Sequence, residues 1–204
     1  MANSFIAGTK GYEKALSRFI ESTHRIRFTE LHHDFLPFIP STPCLVLDVG
    51  AGIGRDAAVL AEMGHEVLAV EPLKEFRVPG QSMYRDRPIS WMDDSLPALD
   101  NLKAYASQVD FVLASGVWHH LAPEEQQTAL NRVAQLMKKS GIFAASLRHG
   151  PAGAGTHVFP IDVQQTIKQA EQLGLTCLLL LENQPSLLPN KAQVNWTRVV
   201  WKKD

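Results

Sequence analysis

Cysteine is scarce in this chain of 204 residues, with only Cys44 and Cys177. Neither lies at the short spacing that a metal knuckle or a redox pair requires, and two thiols cannot make a disulfide framework. Both sit in apolar stretches and read as buried thiols of a reducing compartment, so a cytoplasmic location is expected. A dominant sign of charge is also missing. Lys plus Arg total 20 and Asp plus Glu total 21, a formal net charge of −1, which argues against a basic nucleic-acid-binding surface. No apolar run approaches the roughly 18 residues of a membrane span, and the first 14 residues lack the apolar core of a secretion signal. Repeats and low-complexity tracts are absent. The string GxxxxGK[ST] of a phosphate loop does not occur.

Hydrophobic residues are plentiful, at 45%, enough for one folded domain with a sizeable core. Residues 12–39 have apolar positions at helical intervals, notably Leu16, Phe19 and Ile20, then Leu31, Phe35 and Leu36. Pro37, Pro40 and Pro43 close this region, so residues 1–41 are expected to form an N-terminal helical lid.

Residues 42–204 then alternate strand and helix. "CLVLDV" (44–49) is a nearly continuous apolar run, as in a strand covered on both faces. "RDAAVLAEM" follows as a helix that Gly64 terminates. "EVLAV", "ISWM", "VDFVLAS" and "IFAASL" are the next strands. Pro123 opens a helix with an apolar stripe of Leu130, Val133 and Met137, which Gly141 is expected to end. Asp162 can cap another helix, closed by Gly174. "LTCLLLLE" and "QVNWTRVVWK" have no helix between them and should pair antiparallel. The expected architecture is a Rossmann-like α/β three-layer sandwich with a seven-stranded, mostly parallel sheet whose last strand is antiparallel.

In such sheets ligands bind at the carboxyl ends of the strands, where the strand order switches. The turn "DVGAGIG" (48–54) should lie there. A dinucleotide turn reads GxGxxG, but here Arg55 stands where its third glycine would fall and Gly54 comes one residue early. Asp48 just before the turn would repel a pyrophosphate and attract a cation. About 20 residues on, Glu71 ends the second strand, placed to accept the two hydroxyls of a ribose.

The string from Val46 to Gly54 resembles the first motif of the class I S-adenosylmethionine-dependent methyltransferases, [VIL]-[LV]-[DE]-x-G-x-G-x-G, and the resemblance extends over roughly residues 40–202. It implies an enzyme that binds S-adenosylmethionine and releases S-adenosylhomocysteine. The cofactor contacts implied are Asp48, Gly50, Ala51, Gly52 and Gly54 in the turn, and Glu71 with Pro72 on the ribose. An aspartate after the third strand would read adenine, either Asp93 or Asp94. Ser115, Gly116 and Val117 after the fourth strand would flank the methionine moiety.

For the acceptor side the candidates are Trp118, Arg148, His149 and Tyr12, with Arg18 and Arg25 as further lid residues. His119 or His120 could serve as a base, because imidazole titrates near neutral pH. Adjacent histidines on a helix point about 100° apart and rarely share one ion, so no metal is expected. The Asn-Pro-Pro-Tyr string of nucleic-acid amino methyltransferases is missing after the fourth strand, where "SGVW" stands. A small-molecule acceptor is therefore expected, with no nucleic acid or membrane partner; the oligomeric state stays open. Two other readings compete: a nicotinamide-dependent oxidoreductase, disfavoured by the shifted glycine and Asp48, and a non-catalytic module that binds S-adenosylmethionine.

Overall fold

A computed structural model of the chain describes residues 6–188 and 191–204, with the side chains of residues 18 and 22–24 left out. Its sheet has seven strands: β1 (Leu45–Val49), β2 (Glu66–Val70), β3 (Ile89–Met92), β4 (Val109–Ser115), β5 (Met137–His149), β6 (Leu175–Pro185) and β7 (Asn195–Lys203). The spatial order is β3-β2-β1-β4-β5-β7-β6. All pairings are parallel except those of β7, which runs antiparallel to both β5 and β6. The order reverses between β1 and β4, so the crevice for a ligand opens beyond Val49 and Ser115.

β1 lies inside the sheet, between β2 and β4, and apart from Asp48 its side chains are apolar on both faces. Leu47 and Val49 pack with Leu68, Val70, Val112 and Ala114 on one side. Val46 packs with Val67, Ala69, Phe111 and Leu113 on the other. Helices α5 (Pro123–Leu136) and α6 (Val163–Gln172) cover the first face. α3 (Arg55–Glu62) and the short α2 (Phe28–Leu31) cover the second through Ala57, Leu60 and Phe28, joined by Phe35 from the segment after α2. Gly64 closes α3 in the left-handed region, at φ 96°, as its position predicts. Asp162 caps α6, its carboxylate accepting from the Gln165 amide at 2.9 Å.

Two expectations change. The apolar periodicity of residues 12–39 is carried by separate pieces, α1 (Leu16–His24), α2 and a 3-10 turn at Leu36–Phe38. The pieces face different partners: Phe19 packs against Tyr12 and Phe76, whereas Phe28 and Phe35 enter the sheet core. Helix α5 ends at Leu136, not at Gly141, because Met137 is already extended and pairs with Val109. Gly141 instead serves the register shift between Val109 and Phe111, where a Cβ would lie 3.0 Å from the Val109 carbonyl. A helix α4 (Lys74–Met83), for which no expectation was stated, joins β2 to β3 although it contains Pro79 and Gly80, residues that disfavour a helix interior. Gly80 is there for space: a Cβ would meet the Trp91 ring at 2.4 Å.

Candidate active site

The turn after β1 is tied to β2 by the amides of Gly50 and Ala51, which donate to the Val70 carbonyl at 2.9 and 3.0 Å. Gly52 has φ 57° and faces open space, with nothing within 4 Å of where its Cβ would sit. Gly54 has φ 81° and lies under the Trp91 ring, which a Cβ would meet at 2.6 Å. One glycine thus exposes backbone to the crevice, and the other lets β3 close on the turn.

Glu71 is buried at the end of β2. Its carboxylate accepts from the Gly52 and Leu73 amides, each at 2.8 Å. Burial pushes its pKa up to about 7 against the pull of those two amides and Arg77. Each carboxylate oxygen keeps a further lone pair for a ligand hydroxyl. Arg77 locks the segment that follows β2, donating to the Glu71 and Pro72 carbonyls and pairing with Asp93 at 2.6 Å.

These groups open onto a cavity at the switch point. Its wall takes Gly50 and Gly52 from the turn, Glu71 and Pro72 after β2, and Asp94 and Ser95 after β3. Ser115, Gly116 and Val117 follow β4, and His120 and Glu125 lie beyond them. The N-terminal segment supplies Ala7, Gly8, Thr9, Tyr12 and Phe19, while Phe76 comes from α4. Of the two candidate aspartates, Asp94 faces the cavity, its carboxylate fixed by the Ser95 and Asn101 amides at 2.8 Å each. Asp93 is exposed and held by Arg77.

Asp48 is placed behind the turn. It is buried, and its Oδ2 has no hydrogen-bond partner among the described residues. Burial, then Asp56, pushes its carboxyl well above the usual carboxylate range. Ala51 packs towards the α3 face. Trp118 is in the core, 5.8 Å from the Phe143 ring. His119 is buried beside His120, ring centroids 4.0 Å apart, with Nδ1 unpartnered among the described residues. Arg148 donates to the Gly150 and Pro151 carbonyls at the base of the 150s loop. His149 bonds to Thr197 at 3.0 Å and lines a separate cleft with Asp162 and Glu182. Arg25 is exposed and pairs with Glu21; the Arg18 side chain lies outside the described residues.

Sequence reasoning missed Phe19, Phe76 and Glu125 as wall residues. Glu125 carries a usable signal, three residues into the helix opened at Ala122, whose amide its carboxylate accepts at 2.7 Å. Phe76 lies in α4, a helix absent from the sequence expectations.

The donor set discriminates between ligands. Among the described residues on the wall stand three carboxylates, Glu71, Asp94 and Glu125, and no lysine or arginine. Such a wall suits a cation with a ribose and opposes a pyrophosphate. Residues 47–145 match a family described as a methyltransferase domain. Over that stretch, just under half of its length, the chain is similar to methyltransferase domains.

Among relatives of this chain, an uncharacterized methyltransferase of Mycobacterium tuberculosis is 30% identical over 128 residues, 59% of this chain and 62% of that protein. The match thus spans less than two-thirds of that relative. The 1,6-didemethyltoxoflavin-N1-methyltransferase of Burkholderia thailandensis, solved with 1,6-didemethyltoxoflavin and S-adenosylhomocysteine, superposes with a TM-score of 0.62 at 22% identity, covering 99% of this chain and 93% of that one. The magnesium protoporphyrin IX methyltransferase of Synechocystis PCC 6803, solved with bound S-adenosylmethionine, gives a TM-score of 0.70 at 14% identity over the whole of both chains. At these identities the superpositions show a shared fold. No helix among the described residues is long and apolar enough to cross a membrane.

Proposed function

We propose that the chain transfers a methyl group from S-adenosylmethionine to a small-molecule nucleophile. The observation that carries this reading is the carboxylate-lined cavity with Glu71 anchored between the Gly52 and Leu73 amides. Glu71 would accept the ribose hydroxyls, and the Gly50–Gly52 backbone would pass close to the methionine moiety. Asp94 would accept from the adenine amino group, and Ser115, Gly116 and Val117 would flank the sulfur end. Bound there, the cofactor supplies a methyl group activated by positive sulfur, so the protein's main task is to orient and enclose.

Residues 1–41 act in this reading as a lid on the 42–204 domain. Support comes from Ala7–Thr9, Tyr12 and Phe19 on the cavity wall, and from the Thr156 amide, which donates to the Lys10 carbonyl at 2.8 Å. A small acceptor suits a cavity with aromatic rings from Tyr12, Phe19 and Phe76 at 5.0–5.8 Å centroid separations. The two free thiols, Cys44 and Cys177, fit a reducing compartment such as the cytoplasm.

Calorimetric titration with S-adenosylmethionine, S-adenosylhomocysteine and NAD tests the reading. Binding of the first two without NAD is the expected result. Binding of NAD alone would mean that the cavity is a nicotinamide site, and the assignment would fall.

A further inference from the structure

We infer that Tyr12 and His120 form a proton-accepting pair that faces the reacting methyl group, and that the acceptor is therefore a nucleophile carrying an N–H or O–H. This rests on the methyltransferase reading and deepens it.

The pair is built from three distant segments. The Tyr12 oxygen is 2.9 Å from His120 Nε2, and His120 Nδ1 is 2.7 Å from the His157 carbonyl oxygen. A carbonyl can only accept, so the neutral ring carries its hydrogen on Nδ1. Nε2 is then a lone pair, and the Tyr12 hydroxyl donates to it. That leaves the Tyr12 oxygen free to accept a second hydrogen bond, and both residues stand on the cavity wall. The 150s loop clamps the two rings. A Cβ on Gly155 would lie 2.5 Å from His120 Cε1 and 2.6 Å from the Tyr12 ring, so a larger residue would push them apart. Phe19 and Phe76 support Tyr12 from its other side.

The charged neighbours suit the role. His119, His157 and Arg148 lie around His120, while Glu71 and Glu125 share the cavity wall. Burial, with smaller help from Arg148 and the His157 side chain, holds His120 below the ordinary histidine value against the pull of the His157 carbonyl, so at neutral pH it is an empty base. Burial and Glu71 push Tyr12 up to about 12, so it remains a hydroxyl and relays a proton without being the final base.

The step balances. A bond forms between the nucleophile and the methyl carbon, and the carbon–sulfur bond breaks with its electron pair left on sulfur. The nucleophile's proton passes to the Tyr12 oxygen as the Tyr12 proton passes to His120 Nε2. The resulting imidazolium is held at Nδ1 by the His157 carbonyl. One positive charge leaves sulfur and one appears on His120, so the buried site keeps its net charge and avoids the cost of an uncompensated ion. A thioether or an ionised carboxylate would need no such pair; an amine or a phenol would.

Nitrogen-detected NMR of the His120 ring tests this without an acceptor. The ring should carry hydrogen on Nδ1, and its pKa should be lower by about one in the S-adenosylmethionine complex than in the S-adenosylhomocysteine complex, because the sulfonium repels the imidazolium. Equal pKa values in two demonstrated complexes would overturn the pair while leaving the methyltransferase reading intact. Failure of both ligands to bind would overturn that reading itself, and the pair with it. With a panel of phenol, amine and thioether acceptors, Tyr12→Phe should lower kcat on an N–H or O–H acceptor about 100-fold while S-adenosylhomocysteine affinity stays within about twofold. Turnover confined to the thioether, or a kcat unchanged in Tyr12→Phe, would sink the inference.

Discussion

The two walls of the cavity are made differently. The wall of Gly50, Gly52, Glu71 and Asp94 comes from the ends of three neighbouring parallel strands, and both of its carboxylates are fixed by backbone amides. The opposite wall, of Tyr12, Phe19 and His120, comes from the N-terminal segment and the turn after β4, and it is closed by side-chain contacts. A strand end is positioned by the sheet, so the first wall can hold an invariant ligand portion. The second depends on docking segments far apart in the chain, which suits the portion that varies among acceptors.

The largest effects should come from breaking the first wall. Gly54→Val places a β-branched residue at φ 81° against the Trp91 ring. It should cost roughly 3 kcal/mol or more in chemical denaturation, from strain and overpacking together. Gly52→Ala, with open space around it, should cost only about 1 kcal/mol. Equal losses would mean that the Trp91 contact is not what demands glycine at position 54.

Glu71→Ala compares the walls directly. Losing the two charge-assisted hydrogen bonds proposed between Glu71 and the ribose should weaken S-adenosylhomocysteine binding roughly 100-fold. Phe19→Ala, on the second wall, should weaken it only about threefold. Calorimetry on the two variants decides whether cofactor affinity resides mainly in the strand-end wall.

The same contrast explains what the sequence discloses. The glycine turn, Glu71 and the aspartate pair are legible because each sits at a fixed offset from an apolar strand, and period and offset are local properties. The choice of Asp94 over Asp93 as the wall residue is not local: it depends on Arg77, five residues beyond Pro72, capturing Asp93 from across β3. Trp118 directly follows the wall residue Val117, and only packing sends it into the core, while Arg148 at the end of β5 turns to the 150s loop. The meeting of Tyr12 with His120 spans 108 positions and has no signature in periodicity. In helix α4, Gly80 answers to the Trp91 ring, a tertiary demand that overrides helix propensity.

Acidity gives a finer test of the first wall. Glu71 is raised in the folded chain from its ordinary 4.5 to about 7. Its contribution to the stability of the free protein is therefore fully present below about 4.5 and is lost as pH rises through about 7. Ribose hydroxyls favour the ionised carboxylate, so cofactor binding should run the other way. S-adenosylhomocysteine affinity should rise roughly tenfold between about pH 6 and pH 8, with proton release visible as a dependence of binding heat on buffer ionisation. In Glu71→Gln this dependence should vanish. If it persists, another wall group carries the titration.

The smallest effects separate the two aspartates. Asp93→Asn removes one partner of an exposed ion pair with Arg77, and such pairs contribute between about 0 and 1 kcal/mol. Arg77 would keep its bonds to the Glu71 and Pro72 carbonyls, so S-adenosylhomocysteine binding should change less than about twofold. Asp94→Asn keeps the shape of a side chain that receives two backbone amides, but replaces a charged acceptor with a neutral one beside the proposed adenine position. It should weaken binding about tenfold, with a smaller loss for an analogue lacking the adenine amino group. A larger effect at Asp93 than at Asp94 would mean that the ordering of α4 through Arg77, and not direct contact from the loop after β3, shapes the adenine end of the cavity.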